Sequence, residues 1–309
     1  MTLRAESGLE RLLHSGEFAV TAEVVPPRGA DATLLRKQAE ALRGFADAVN
    51  VTDNPTSSAH MSSVAGAAVV AAAGLEPVVQ IATRDRNRLA ITADLLGAWA
   101  LGARNLLCLS GDPISSGDHP DAADVRDLDV VELVRFAVAL RDEGRLLSGR
   151  TIESAPRYFV GVADVPLADA YDPGRLEAKL EAGADFVQTQ IVYDVEALAG
   201  WADGARGRGV FERAFVLVGI APLRSVRTAR YLSDQLGVPV PESVVRRLDV
   251  AADPGAEGVA MAVEILHGLR ALEGIAGAHI MGLGREELVR RVIEDAGLLP
   301  RPRPVSETA

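Results

Sequence analysis

Two carboxylates follow apolar runs in a way that suits acid–base chemistry. Glu23 lies in EFAVTAEVV (17–25) just before two prolines, and Asp112 follows NLLCLSG (105–111). An acid at the end of a buried segment can hold a proton near neutral pH, because burial raises the pKa of a carboxyl group. A simpler interpretation stays open for each: Glu23 would point outward from a strand, and Asp112 would belong to an Asp-Pro turn.

Amide and hydroxyl side chains occupy similar positions. Gln188 and Gln190 are two residues apart in DFVQTQIV, so they lie on one side of a strand. Gln80 lies inside EPVVQIAT, and Thr52 lies near the end of DAVNVTD, where the following Asn-Pro is also typical of an ordinary turn. Buried amides need hydrogen-bond partners, which a polar ligand would supply. We therefore expect a polar binding site where these segments meet.

The elements that must position these residues alternate regularly. Eight short runs have the length and composition of strands, at 17–25, 47–53, 76–83, 105–110, 157–163, 185–192, 214–220 and 278–283. Stretches with helical spacing separate them, which predicts a parallel sheet with right-handed crossovers. Eight such strands close a (β/α)8 TIM barrel, with its active site at the carboxyl ends of the strands. An open doubly wound sheet is the alternative, but no G-x-G-x-x-G follows the first strand.

We expect a single domain over residues 1–300 and a flexible tail at 301–309, where the sequence is rich in Pro and Arg. The first eighteen residues have Glu and Arg within their apolar pattern, which favours an amphipathic helix over a signal peptide. No apolar stretch free of charges reaches the roughly 18 residues of a membrane span. These features predict a cytoplasmic protein.

Composition narrows the class of function. The 309 residues include 32 Lys and Arg against 43 Asp and Glu, a formal net charge of −11, which disfavours nucleic acid and anionic membranes as partners. Cys108 is the single cysteine, which excludes an internal disulfide and fits a small core residue better than a nucleophile. The five histidines lack metal-binding spacing, and neither a P-loop nor a G-x-S-x-G motif is present.

Five segments in order resemble the methylenetetrahydrofolate reductase family, flavin-dependent (β/α)8 enzymes of one-carbon metabolism and methionine biosynthesis. They are TAEVVPPRG, NVTDNPTSS, LCLSGDP, KLEAGADFVQTQIVYD and VGIAPLRS. Each segment alone is weak, but all five fall at predicted strand ends. The similarity extends over about residues 17–300.

The resemblance implies an oxidoreductase that reduces 5,10-methylenetetrahydrofolate to 5-methyltetrahydrofolate, with hydride from a reduced FAD that NADH or NADPH has loaded. Glu23 matches the family's general acid, and Asp112 matches an aspartate near the flavin and the pterin. Gln190 matches the glutamine that contacts folate, and Gln188 beside it is assigned to the same substrate. The positions assigned to the flavin are Thr52, Gln80, Ser110, Gly111, Asp112, Ala163, Asp172 and Lys179.

The chain departs from the family's pattern mostly on the flavin side. Gln80 stands where the family often has histidine, and Ser110 stands where it often has arginine. VADVPLADAY replaces a His-Pro-Glu type of segment, and valines follow Glu23 in place of aromatic residues. FMN in place of FAD, or no flavin, therefore remains open. The alternative function is a flavin-poor or flavin-free folate-binding barrel that needs a partner subunit or another reductant, similar to short reductases of acetogen-type complexes.

A third hypothesis is a different barrel enzyme, such as an aldolase or a folate-handling methyltransferase. An aldolase needs a Schiff-base lysine at a strand end, whereas both lysines, Lys37 and Lys179, fall on predicted helices. Lys179 is also compatible with a solvated helix position. Arg224, Arg227 and Arg285 are candidate contacts for an anionic folate tail. We also expect a homo-oligomer or an electron-delivering partner.

Overall fold

Eight parallel strands close a barrel in chain order, each paired with its neighbours and β8 paired with β1. The computed structural model describes residues 3–302. The strands are β1 Ala19–Val24, β2 Ala48–Val51, β3 Pro77–Ala82, β4 Asn105–Leu109, β5 Phe159–Asp164, β6 Phe186–Ile191, β7 Phe215–Ile220 and β8 Ile275–Ile280. The predicted (β/α)8 fold is confirmed, and the doubly wound alternative is wrong.

Helices follow the strands and cover the outside of the barrel. They are α1 Gly8–His14, α2 Thr33–Leu42, α3 Ser63–Ala72, α4 Arg88–Ala100, α5 Val130–Glu143, α6 Pro173–Glu181, α7 Val195–Gly207, α8 Val210–Arg213, α9 Val226–Leu236, α10 Glu242–Val250, α11 Pro254–Ala271 and α12 Glu286–Asp295. Lys37 and Lys179 lie on α2 and α6, as predicted. Within residues 3–302, no helix is both long and apolar enough to cross a bilayer.

The eighth strand begins three residues earlier than its sequence predicts. It covers Ile275–Ile280 rather than 278–283. Its first half is IAG, in which a single β-branched residue is followed by two small ones. Gly277 pairs with Ala19 at a point where a Cβ would collide with that residue's carbonyl. The shift matters because it places His279 near the end of the strand.

The barrel interior is apolar at its amino-terminal end. Phe159 and Phe186 stack there with ring centroids 5.0 Å apart, and a Cβ at Gly161 would overlap the Phe186 ring. Helix α1 covers this end with Leu9 and Leu12. Burying each such side chain contributes about 1.5–3 kcal/mol. The amino-terminal end is thus filled, which leaves the carboxyl end for a ligand.

Two contacts hold α1 and Arg301 on the barrel. Glu76 accepts hydrogen bonds from the backbone N–H groups of Gly8 and Leu9, at 2.6 and 2.9 Å, at the positive end of α1. Arg301 pairs with Asp47 at 2.6 Å, and both side chains are 7% exposed. Arg301, the first residue of the predicted flexible tail, is thus in contact with the barrel, the flexibility of the tail stays a prediction, and residues 303–309 lie outside the described part of the chain.

Candidate active site

The carboxyl ends of the strands surround a cavity of about 540 Å³, within the range of small-molecule sites. All eleven predicted site residues line it: Glu23, Thr52, Gln80, Ser110, Gly111, Asp112, Ala163, Asp172, Lys179, Gln188 and Gln190. A groove of about 900 Å³ at the opposite end, beside α1 and residues 299–302, has none of them among its described lining residues. Since barrel enzymes react at the carboxyl ends of the strands, the first cavity is the candidate active site.

Glu23 lies inside the mouth of the barrel. Strand alternation places it on the interior side together with Ala19 and Thr21, and its side chain is 21% exposed. Gln80 Nε2 and His279 Nε2 lie 3.5 and 3.8 Å from one carboxylate oxygen, Oε2. The outward-facing alternative is therefore wrong. The role of Glu23 as an acid stays a prediction.

A buried polar layer lies directly beneath Glu23. Asn50 Nδ2 donates to Gln188 Oε1 at 2.6 Å, and Gln188 Nε2 donates to Asn50 Oδ1 at 3.2 Å. Gln188 Nε2 also donates to the Thr21 hydroxyl at 3.3 Å, and that hydroxyl lies 2.9 Å from His279 Nδ1. The protein itself thus supplies the partners that we expected a ligand to give Gln188. The interior position of Gln188 therefore does not by itself indicate a ligand, and a contact of Gln188 with the substrate stays a prediction.

Gln190 differs from Gln188 in this respect. Its Oε1 accepts a hydrogen bond from the backbone N–H of Ile191 at 2.9 Å, and within residues 3–302 its Nε2 donates none. The register of β6 against β7 shifts between Gln188 and Ile191, and Thr189 Oγ1 accepts from the Gly219 N–H at 2.9 Å at this irregularity. Gln190 therefore presents a half-buried amide N–H₂ to the cavity.

Asp112 is held by the loop that follows β2. Its Oδ2 accepts from the backbone N–H of Thr56 at 2.7 Å, and its carbonyl accepts from Ser57 Oγ at 2.9 Å. Asn54, Thr56 and Ser57 have φ of 46°, 53° and 54°, conformations that cost about 1–3 kcal/mol each in residues other than glycine. The contacts with Asp112 help to impose this conformation. Asp112 is exposed at the rim, so the turn interpretation and the site interpretation are compatible.

Gly111 faces a protein side chain rather than open space. Its φ is +78°, and a Cβ there would lie 2.9 Å from Arg84 Cβ and 3.1 Å from Arg84 Nη1. Arg84 therefore fills the space into which a side chain at position 111 would extend, and the approach of a planar ligand to the Gly111 backbone stays a prediction. Arg84 is 2% exposed, and its Nη1 donates to Asn54 O and Ser57 Oγ at 3.3 Å. Ser110 is exposed and accepts from Arg126 through its carbonyl.

Lys179 reaches the cavity wall from α6 and is half-buried, so the solvated-lysine alternative is wrong. Its Nζ donates to the carbonyl of Ala163 at 2.6 Å. Burial lowers the pKa of Lys179, an effect that nearby Asp164 opposes. Burial raises the pKa of Asp164 against the charge of Lys179 and a 3.2 Å hydrogen bond from Tyr171. Asp172 is exposed and caps the amino terminus of α6.

The two residues that follow β2 differ in whether their side chains have partners in the protein. Asp53 is buried and forms a two-point ion pair with Arg86, at 2.6 and 3.1 Å. The hydroxyl of Thr52 is buried and has no hydrogen-bond partner within residues 3–302. Because a buried hydroxyl without a partner is costly, Thr52 is a candidate contact for a polar ligand.

The sequence argument missed several residues of this cavity. His279 was missed because it shows no metal-binding spacing and because the eighth strand was predicted three residues too late. His279 and Met281 are two residues apart, and both line the cavity. Asp164 ends β5 and lies one residue after the assigned Ala163, so strand-end position was an available signal. Arg224, Arg227 and Arg285, expected to contact a folate tail, are exposed and do not line the cavity.

Comparison with known proteins agrees with this geometry. The family model "Methylenetetrahydrofolate reductase" matches residues 8–297. The chain belongs to the methylenetetrahydrofolate reductase family. It is 29% identical over 226 residues to methylenetetrahydrofolate reductase 1 of Schizosaccharomyces pombe, covering 68% of this chain and 34% of the relative.

A further relative and a solved structure are similar to nearly the whole chain. A probable methylenetetrahydrofolate reductase (NADPH) of Caenorhabditis elegans is 22% identical over 309 residues, covering 94% of this chain and 44% of the relative. The chain thus spans about a third to under half of the length of these curated relatives. A Clostridium thermocellum protein, described as binding two copies of 5-methyl-5,6,7,8-tetrahydrofolic acid, shares the fold with a TM-score of 0.66 and 14% identity, over 95% of this chain and all of the other.

Proposed function

We propose that this protein reduces 5,10-methylenetetrahydrofolate to 5-methyltetrahydrofolate at the cavity that contains Glu23. The observation that carries the proposal is the position of Glu23, a carboxyl group inside the barrel mouth of a methylenetetrahydrofolate reductase family member. A solved structure of the same fold is described as a methyltetrahydrofolate-binding protein, which supports a folate as the ligand. A cytoplasmic setting in methionine biosynthesis, and an oligomer or electron-delivering partner, belong to the same proposal.

The chemistry needs one proton and one hydride. Glu23 gives its proton to the departing nitrogen of the folate's five-membered ring, and the electron pair of the breaking C–N bond goes to that nitrogen. The methylene carbon is left in an iminium cation, which a hydride reduces to a methyl group while the donor is oxidised. Water then returns a proton to Glu23. A general acid of this kind contributes about 10²–10⁴-fold to the rate.

The remaining residues bind and stabilise. Asp112, fixed at the rim by Thr56 and Ser57, supplies a negative charge in a preset position, which lowers the free energy of a cationic intermediate. Gln190 offers an amide N–H₂ without a protein partner, which suits a carbonyl or ring nitrogen of the pterin. The mostly apolar barrel beneath the polar layer keeps water from reaching the site from below.

The cavity is large enough for a flavin ring system. The buried hydroxyl of Thr52, which has no hydrogen-bond partner within residues 3–302, offers a polar contact for such a ring. Thr52, Gln80, Ser110 and Lys179 are the residues that would hold it. A reduced flavin held there, FAD or alternatively FMN, would supply the hydride, with NADH or NADPH as its reductant. Lys179, with a pKa lowered by burial, already uses one of its hydrogens on Ala163, which leaves two for a ligand.

Direct transfer of hydride from NADH or NADPH, without a flavin, is a second candidate that one set of observations favours. Three groups assigned to the flavin already serve the protein: Gly111 packs against Arg84, Asp172 caps α6, and Lys179 binds a backbone carbonyl. Two other assigned positions, Gln80 and Ser110, carry side chains that differ from the family's usual ones.

Three measurements test these proposals. Purified protein is incubated with NADH or NADPH and 5,10-methylenetetrahydrofolate, and 5-methyltetrahydrofolate is quantified with and without added FAD or FMN. A flavin absorbance spectrum, with mass identification of the released cofactor, decides between the two hydride carriers. Glu23→Gln should lower turnover by about 10²–10⁴-fold while folate still binds; Glu17→Gln is the matched control. Full activity in Glu23→Gln, or no product under any condition, would refute the proposed function.

A further inference from the structure

His279 lies where a second group could control the acid. Its ring is 3% exposed, with Nδ1 against Thr21 Oγ1 at 2.9 Å and Nε2 facing Glu23 Oε2 at 3.8 Å. It comes from β8, on the opposite side of the β1 strand from Gln80 on β3. No other imidazole lines the cavity among the described residues. The ring therefore bridges the buried polar layer and the carboxyl group.

The polar layer is compatible with a ring that carries its proton on Nε2. The amide N–H₂ of Gln188 has two hydrogens, one directed at Asn50 Oδ1 and one at Thr21 Oγ1. Since Thr21 Oγ1 accepts from Gln188, its own hydrogen is free to be donated to His279 Nδ1. A neutral ring that accepts at Nδ1 carries its proton on Nε2. That proton points toward Glu23.

Two donors then converge on a single oxygen of Glu23. His279 Nε2–H and the Gln80 amide both face Oε2, whereas Oε1 accepts no hydrogen bond within residues 3–302. In a protonated carboxyl group the oxygen that accepts hydrogen bonds is the carbonyl oxygen, so the acidic proton is left on Oε1. The same N–H then stabilises the carboxylate after the proton has gone to the substrate. The 3.8 Å separation is long, as is common before a substrate closes the site.

We propose that His279 is a positioning residue for Glu23, held as the Nε2–H tautomer by the chain Asn50–Gln188–Thr21, and that it selects Oε1 as the oxygen that donates the proton. The inference deepens the proposed function and rests on it for the acid role of Glu23. It uses only contacts of this chain. The arrangement follows the logic of a catalytic group oriented by a histidine that a further residue orients in turn.

Two substitutions separate positioning from packing. His279→Asn keeps an amide beside Thr21 but does not reach Glu23, and it should lower kcat by about 10- to 100-fold, the range for losing one hydrogen bond to an ionised group. The KM for the folate should change less than about 3-fold, because a residue that only positions Glu23 makes no contact with the substrate. His279→Gln places an amide N–H₂ near the former Nε2 and should recover part of the loss. Thr21→Val, with Thr21→Ser as its control, should reproduce a smaller loss.

A double-mutant cycle removes effects that pass through folding. In the Glu23→Gln background, His279→Asn should cost little further activity, because the group it positions is gone. The proposal would be overturned if His279→Asn lowered activity as much in the Glu23→Gln background as in the wild type. It would also be overturned if His279→Asn lowered kcat/KM only by raising the KM.

A spectroscopic readout keeps the inference testable without turnover. Nitrogen-15 NMR of the folded wild type should show His279 Nδ1 as a non-protonated acceptor and Nε2 as protonated. Glu23→Gln should shift the Nε2 resonance, and Glu17→Gln should not. A protonated Nδ1, or an Nε2 resonance indifferent to Glu23, would overturn the positioning role. If these signals are as expected but no folate is reduced, the proposed function fails while the contact stands.

Discussion

Replacing Gly111 with alanine tests whether Arg84 fills the space beside this glycine. The φ of +78° costs a residue with a Cβ about 1–2 kcal/mol. The new Cβ would also lie 2.9 Å from Arg84 Cβ and 3.1 Å from Ala82 Cβ, and overpacking of this kind costs about 1–3 kcal/mol. We therefore expect Gly111→Ala to lower the free energy of unfolding by about 2–5 kcal/mol.

The chain offers a matched control for the backbone cost alone. Gly149 has a φ of +82°, and a Cβ there would have no described atom within 4 Å. Gly149→Ala should therefore lose only about 1–2 kcal/mol. Urea unfolding of both variants, followed by circular dichroism, gives the difference, which measures the Arg84 contact. Equal losses in the two variants would refute the packing of Arg84 against Gly111.

The same substitution should reach the site through Asp112. Arg84 contacts Asn54 and Ser57 in the strained loop that holds Asp112, so displacing it should loosen that carboxylate and lower turnover. With Arg84→Gly as a second change, which removes both the Cβ and the guanidinium that face Gly111, most of the overpacking cost should disappear, because the two residues share one contact. Additive losses of stability in the double variant would contradict this account.

Three further outcomes follow from buried groups. Asp164→Asn should flatten the pH dependence of stability, because burial raises the pKa of Asp164 in the folded state and the wild type therefore loses stability as pH rises through that raised value. Urea unfolding of both proteins between about pH 4 and 8 checks this, and an equal slope in both would contradict it. Arg301→Ala should cost about 3–5 kcal/mol in urea unfolding, because it leaves Asp47 buried without its partner; a loss under 1 kcal/mol would contradict it. Cys108, fully buried with a pKa raised by burial, should resist iodoacetamide in the folded protein and react after denaturation, as mass spectrometry would show.

The positions of the first seven strands were predictable because each is a short apolar run, mostly rich in β-branched residues, as is typical of a buried strand. Glu23 and Asp112 were found for the same reason, since each closes such a run. The eighth strand was misplaced because Ala276 and Gly277 near its start are small, and Gly277 fits a close contact with Ala19 of β1 rather than a strand propensity. Thr21 pairs with Ala48 on one side and with His279, 258 residues away, on the other, and no local pattern in the sequence contains this consequence of barrel closure.

Partners of polar side chains were the least predictable feature. Gln188 and Gln190 have the same side chain and lie on the same side of one strand, yet Asn50 satisfies the first and no described residue pairs with the amide N–H₂ of the second. The difference comes from residue 50 on another strand and from the register shift after Gln188. Sequence spacing fixes the side of the strand that a residue occupies, whereas tertiary contacts decide whether its hydrogen bonds remain available.

The same distinction bears on the proposed hydride donor. The acid at Glu23 and the amide of Gln190 keep hydrogen-bonding capacity that the protein does not use, as a substrate site requires. On the wall assigned to the flavin, Gly111 packs against Arg84 and Asp172 caps α6, whereas the buried hydroxyl of Thr52 has no hydrogen-bond partner within residues 3–302. Thr52→Val therefore separates the two hydride carriers. If a flavin binds there, Thr52→Val should weaken flavin binding and lower the flavin absorbance of the purified protein. If the nicotinamide donates directly, Thr52→Val should change the KM for NADH or NADPH in a protein that shows no flavin absorbance.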